Sequence, residues 1–175
     1  HKLVLIRNAV DASRFHPGLR DEMGAGVRQQ LGIPGAATVF AFVGSGFARK
    51  GVAPFLRALA RRREPAWAII AGKDKRAHRY GALSVKLGVA ARLRVVGGVS
   101  DVRPFLAAAD AFVLPTLYDP FPNAVLEAMA AGLPVVTSTH CGAAEVIAEG
   151  ESGFVRDALD IAGLAACLDR LDPGP

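Results

Sequence analysis

Cysteine is scarce in this 175-residue sequence. Cys141 and Cys167 are its only two, and their spacing fits no metal site. Both read as buried or partly buried free thiols. The four histidines, His1, His16, His78 and His140, are scattered. They form no His-Glu-x-x-His, so no protein-bound metal is expected. No apolar run reaches membrane-spanning length, and no signal peptide is visible. Gly-x-Gly-x-x-Gly is missing, which argues against a dehydrogenase, and so is the Gly-Lys-Ser/Thr of a Walker loop. Nucleic-acid binding gains from aromatics interleaved with basic residues. Only Tyr80 lies near a basic cluster, so nucleic acid is not an expected partner. The chain opens on His1 rather than Met, and we expect a portion of a longer protein.

What is present suits a globular domain. The length allows one domain with a real core. Apolar residues make up 51% of it and charged residues 21%. Formal net charge is +5 and the pI about 9.7. That favours anionic partners such as phosphates, nucleic acid or an acidic membrane surface, without choosing among them. The densest basic run, Arg61-Arg62-Arg63, reads as a helix C-terminus whose cations match the helix dipole.

The stretch from Thr116 to Val136 organises the rest. A strand-like run, Ala111 to Leu114, precedes it, and Pro120 and Pro122 break the chain. Asn123 to Ala131 are good helix formers, with Pro122 suited to the first turn. Gly132 and Pro134 end the helix, and Pro134-Val-Val opens the next strand. In open α/β sheets the loop at a strand's carboxyl end is where ligands bind. Two acids stand there, Asp119 before the helix and Glu127 in its second turn. The free amides at the helix start suit an anion such as phosphate, and the acids could hold hydroxyls on either side of it. Equally, Asp119 could be a loop or capping residue and Glu127 a solvated one.

Elsewhere apolar runs alternate with helical patterns. Strands are expected at Leu3–Ile6, Thr38–Val43, Trp67–Ala71 and Leu93–Val96, with a short one after Gly150. Helices are expected at Glu22–Leu31, about Val52–Arg62, Arg76–Leu87, Asp101–Ala109 with Ser100 as N-cap, and Asp157–Leu171. The fold expected is α/β: a Rossmann-like parallel sheet with helices on both faces. Gly44-Ser-Gly-Phe-Ala-Arg-Lys-Gly follows the second strand. Gly44 and Gly46 let the backbone approach a ligand, and Arg49 and Lys50 add cations. Gly72 and Lys73 end the third strand; a solvated turn is an equal reading for Lys73.

Acid, seven residues, acid, then Ala-Met-Ala-Ala-Gly-Leu-Pro-Val-Val resembles the signature of retaining GT-B glycosyltransferases that use nucleotide sugars. Phe121, Glu127, Ala128, Gly132 and Pro134 carry the match; the family's usual first Glu is Asp119 here. Asn8-Ala-Val-Asp, followed by Phe15 and Pro17, is similar to the family's interdomain segment, with Ala9 in place of Gly. Val43-Gly-Ser-Gly-Phe-Ala-Arg-Lys-Gly-Val resembles the lipopolysaccharide core glucosyltransferase branch. Ser138-Thr-His-Cys-Gly-Ala-Ala-Glu resembles the family's Gly-rich turn before another helix, with Glu145 as a cap or support.

The resemblance implies that residues 1–175 form the donor-binding half of a GT-B fold. The acceptor-binding domain would lie upstream, and this half alone would be inactive. It implies a UDP-sugar donor, with UDP-glucose first, and a lipopolysaccharide core or related glycan acceptor. No metal or other cofactor is implied. Arg49, Lys50 and the amides of Asn123, Ala124 and Val125 would meet the diphosphate. Glu127 would hold the ribose, Asp119 the hexose, and Val99 the base, with Gly44, Gly46, Gly72, Lys73 and Phe121 around the substrate. His140 is not expected to be the base. A cytoplasmic location follows, peripheral on the inner face of a membrane. The alternatives are a nucleotide-binding module without transferase activity and a GT-B sugar-nucleotide epimerase, whose pattern around the acid pair differs.

Overall fold

The structure, a computed structural model, describes residues 2, 4 and 6–171. Six strands form one sheet: β1 (Val39–Val43), β2 (Trp67–Ala71), β3 (Leu93–Gly97), β4 (Ala111–Leu114), β5 (Val135–Ser138) and β6 (Gly153–Arg156). Their order is β3-β2-β1-β4-β5-β6, and every neighbouring pair is parallel. The middle strands are continuous apolar runs because both sheet faces are covered. Val39 to Phe42 and Ala111 to Leu114 are all buried.

Helices follow the strands. They are α1 (Ala25–Gln30), α2 (Phe47–Lys50), α3 (Val52–Arg61), α4 (Ala77–Lys86), α5 (Arg103–Ala107), α6 (Asn123–Ala130) and α7 (Ile161–Arg170). On one face α3 packs against α7 and α4; on the other, α5 packs against α1 and the π-helical turn Arg20–Gly24 before it. This is the doubly wound arrangement expected from the alternation of strand and helix.

Strand order reverses between β1 and β4. Their pairing covers only Phe40–Ala111 and Ala41–Phe112, whereas β1 and β2 stay paired out to Val43–Ala71. The carboxyl ends of β1 and β4 therefore splay, and a crevice opens there.

An ion-pair network closes the opposite end of the same seam. The buried Arg28 donates from Nε to the Ala108 carbonyl at 2.8 Å, and from Nη1 to those of Gly35 and Ala37. Its Nη2 meets Asp110 Oδ2 at 2.9 Å, which also accepts the Val39 amide at 2.8 Å. Arg20 takes the other Asp110 oxygen at 2.7 Å. A cleft of about 640 Å³ lies beside this network, away from the crevice.

Several elements differ from expectation. Of the strand expected at Leu3–Ile6, Val4 and Ile6 lie in no regular element and are 80% and 85% exposed; Leu3 and Leu5 lie outside the described residues. The helix expected at Glu22–Leu31 starts as the π-turn and ends at Gln30. Ser100 caps nothing. Asp101 instead accepts the Arg103 amide at 3.0 Å and pairs with its guanidinium, so the helix begins at Arg103. Arg61 ends α3 and Arg62 is its C-cap, as expected, but Arg62 does more than face the helix dipole. It is buried, 5.1 Å from the Phe40 ring centroid and paired with Asp169. The turn after β5 leads into a 3-10 segment, Gly142–Val146, and Glu145 pairs with Arg7 instead of capping it. The last helix starts at Ile161 because Asp160 caps it, accepting the Gly163 amide at 2.8 Å. Both cysteines are free and buried.

Candidate functional site

The crevice has one wall from the β1 side and one from the β4 side. After β1 the chain enters α2, whose buried Phe47 meets Phe42 edge-on at 6.2 Å between ring centroids. That anchor fixes Arg49 and Lys50, which end the helix. Gly51 must follow. Its φ is +84°, and a methyl group there would lie 1.9 Å from the Pro115 carbonyl oxygen. So α3 starts in direct contact with the end of β4.

The β4 side is tied to the same helix through its backbone. The Arg49 carbonyl accepts from Thr116 Oγ1 at 2.9 Å and from the Leu117 amide at 2.8 Å. The Asp119 amide donates to the His140 carbonyl at 3.1 Å, and its carbonyl accepts from Gly142 at 2.8 Å. Asp119 is thereby turned inward, 6% exposed, against Lys50 Nζ, with Arg49 Nη1 at 3.3 Å from the same oxygen. Lys50 lays its methylenes over Gly44. Two cations and an acid from opposite walls thus meet over the seam, some seventy residues apart in sequence.

Beside them, a cleft of about 610 Å³ runs along the carboxyl ends of β1, β2 and β3. Gly44, Gly72, Lys73 and Val99 line it, as does Ser45, whose hydroxyl accepts the Lys73 amide at 3.0 Å. Gly72 is needed by the fold itself: a methyl group there would lie 2.0 Å from the Gly44 carbonyl oxygen. Gly46 leads into α2 and faces a separate hollow, not this cleft.

The start of α6 forms the far wall. Asn8 reaches it, its Nδ2 donating to the Phe121 carbonyl at 3.1 Å and to Asn123 Oδ1 at 2.8 Å. Asn123 and Ala124 occupy the first two helical positions, whose amides have no partner within a helix. Val125 is different: its amide already donates to the Pro122 carbonyl at 3.1 Å. It is therefore not a free anion donor, contrary to expectation. Glu127 lies in the second turn of α6, half-buried, and no side-chain hydrogen bond or ion pair reaches it among the described residues. Burial pushes its carboxyl up from the ordinary value, and Arg14 partly offsets this. A half-buried carboxylate without a partner is one that a ligand's donors would satisfy.

Ser45, Thr116 and Asn8 are not among the site residues expected from the sequence. Ser45 stands inside Gly-Ser-Gly and was legible there; Thr116 and Asn8 act through contacts that spacing does not reveal.

A doubly wound parallel sheet with a crevice at the strand ends defines a Rossmann-like α/β domain. Residues 26–171 match the family described as Glycosyl transferases group 1, and the chain belongs to that family. It is 33% identical over 144 residues to the lipopolysaccharide core biosynthesis glycosyltransferase LpsE of Rhizobium meliloti, covering 82% of this chain and 42% of that protein. It is 37% identical over 132 residues to the lipopolysaccharide glucosyltransferase WaaG of Escherichia coli, covering 73% of this chain and 35% of WaaG. A crystal structure of WaaG superposes with a TM-score of 0.81 at 32% identity, over 94% of this chain and 44% of that one. The fold is thus that of one half of a GT-B glycosyltransferase. The chain spans less than half the length of these relatives.

Proposed function

We propose that the chain is the donor-binding half of a retaining glycosyltransferase, taking a hexose from a nucleotide diphosphate sugar, UDP-glucose first, to a lipopolysaccharide core or related glycan. The observation that carries this is the crevice itself: Arg49 and Lys50 from one wall face Asp119 from the other, and the helix that follows carries the unpartnered Glu127 in its second turn. The name of the Escherichia coli relative, a glucosyltransferase, supports glucose. Breaking the sugar–phosphate bond leaves negative charge on the diphosphate. Lys50, Arg49 and the amides of Asn123 and Ala124 stabilise it. Glu127 holds the ribose hydroxyls, Asp119 orients the hexose, and Val99, Gly72 and Lys73 border the nucleotide. The acceptor binds a domain outside this chain, so these residues alone bind donor without transferring it. No helix of the described residues is long and apolar enough to cross a membrane. On this reading the enzyme works in the cytoplasm, and the +5 net charge of this half favours an anionic membrane face.

UDP and UDP-glucose should bind without divalent metal, because the chain's own cations neutralise the diphosphate. Among the described residues no cluster of three His, Cys, Asp or Glu stands ready to hold an ion. Calorimetry with and without EDTA checks this, and a strict need for Mg²⁺ or Mn²⁺ would overturn it.

Glu127→Gln should weaken UDP and UDP-glucose alike by about tenfold, the loss of a charged acceptor from two hydroxyls. Binding also acquires a pH dependence. Glu127 protonates at a higher pH than an ordinary glutamate, and the ribose needs the ionised form. UDP affinity should fall as pH drops through that raised value, and the fall should vanish in the variant. Stability runs the other way: the contribution of Glu127 is full below its unfolded pKa and is lost as pH rises through the folded one. A pH series of UDP titrations on both proteins decides it; an unchanged acid limb in Glu127→Gln would remove Glu127 from the ribose.

A further inference from the structure

A second hollow, of about 440 Å³, lies on the outer side of α2 and at the start of α4. Lys73, Lys75, Arg76, Arg79 and Tyr80 line it together with Asp74. We propose that it is a second anion site, binding a phosphoryl group independently of the donor crevice.

The charge accounting is lopsided. Four cations stand against one acid, a net of +3. Both oxygens of that acid are already engaged: Asp74 Oδ2 accepts the Phe47 amide and Oδ1 the Arg76 amide, each at 2.6 Å. Asp74 fixes the loop and reaches none of the four cationic heads. Among the described residues, no hydrogen bond or ion pair engages the side-chain nitrogens of Lys73, Lys75, Arg76 or Arg79. Elsewhere on the molecule arginines are commonly matched: Arg20 and Arg28 by Asp110, Arg103 by Asp101, Arg156 by Glu149. Four like charges within seven residues repel one another, and a bound anion would relieve that.

The hollow also has a shape and a floor. Tyr80 packs edge-on against Phe47 with ring centroids 5.5 Å apart, which fixes its ring at the wall. Burial pushes its phenol up, so it remains a hydroxyl donor at neutral pH. Guanidinium groups match phosphate geometry, and Arg76, the N-cap of α4, and Arg79, in its first turn, line the same hollow. An anionic phosphoryl group, with several acceptor oxygens in a tetrahedral array, therefore suits the hollow better than a carboxylate does. The group could arrive on a soluble molecule or on a lipid headgroup. Lys73 borders both this hollow and the donor cleft, so the two sites adjoin without overlapping at Arg76 and Arg79.

The test uses the 175-residue chain, its donor crevice filled with saturating UDP, and inorganic pyrophosphate as the probe. Amide resonances of residues 75–80 should shift on titration. Arg76→Ser/Arg79→Ser should weaken pyrophosphate by at least about tenfold while UDP affinity stays within about twofold. A parallel arm floats the chain with vesicles of phosphatidylglycerol or phosphatidylcholine. Capture by phosphatidylglycerol alone, lost in the double variant, with no pyrophosphate shift, assigns the phosphoryl group to a lipid. The proposal is overturned if neither probe engages residues 75–80, if the double variant binds both unchanged, or if UDP displaces pyrophosphate. Should UDP fail to bind while pyrophosphate still shifts residues 75–80, the donor reading falls and this site stands.

Discussion

Lys50→Ala should weaken UDP by about 10- to 100-fold and uridine by no more than about threefold. Two effects add. The ammonium is lost from the place where the diphosphate would sit, and a charge-assisted contact to phosphate is worth about 1.5–3 kcal/mol. Asp119 then keeps only Arg49, whose side chain is 52% exposed and 3.3 Å away. An incoming diphosphate meets a carboxylate that is no longer neutralised by a close, nearly buried lysine. Asp119→Asn separates the two effects. It removes the competing carboxylate while leaving both cations, so UDP should lose no affinity; UDP-glucose should weaken, because the hexose contact goes. Calorimetry of UDP, UDP-glucose and uridine on wild type and both variants reads all of this. Equal weakening of UDP and uridine by Lys50→Ala would make Lys50 a structural or base-contacting residue. A loss of UDP affinity in Asp119→Asn would undo the division of roles between the two acids.

Asp110→Ala should destabilise the fold by about 3–5 kcal/mol, the cost of breaking a buried charge pair by removing one partner. At about 2–4 °C per kcal/mol, the midpoint of thermal unfolding falls by roughly 6–20 °C. Arg28 is left buried with three carbonyls and no counter-charge, and the Val39 amide loses its acceptor. Arg20, being half exposed, turns to solvent at little cost. The double variant Arg28→Ala/Asp110→Ala should cost clearly less than the sum of the singles, since neither then leaves a stranded charge. UDP affinity, measured where all variants are folded, should be unchanged: this network closes the seam at the end away from the crevice. Additive singles would show that the pair is not coupled.

The sheet was legible because its middle strands are covered on both faces and so read as unbroken apolar runs, Val39 to Val43 and Ala111 to Leu114. The start and end of α6 were legible because Pro122 and Gly132 punctuate it. Local chemistry misled where a side chain had two possible partners. Ser100 looked like a cap, but Asp101 chelates Arg103 and moves the helix start. The basic run marked the end of α3, but nothing in it shows that Phe40 and Asp169 draw Arg62 inside. Helix α2 is a single turn between two glycines, too short for any periodicity to show. The grip of Asn8 on Asn123 spans more than a hundred residues and leaves no trace in spacing. The sequence showed Lys50 and Asp119 as separate candidates; only the fold makes them partners.

The splay between β1 and β4 has one further meaning. The two sides of the seam differ in what they offer a guest. The β1 side presents positive charge on Arg49 and Lys50; the β4 side presents hydrogen-bond acceptors on Asp119 and Glu127. A molecule anionic throughout would be welcomed by one bank and repelled by the other, and a neutral sugar would find only half a welcome. A guest that is anionic in its middle and rich in hydroxyls at both ends would bridge the two banks and hold them together, much as a clasp closes a hinge.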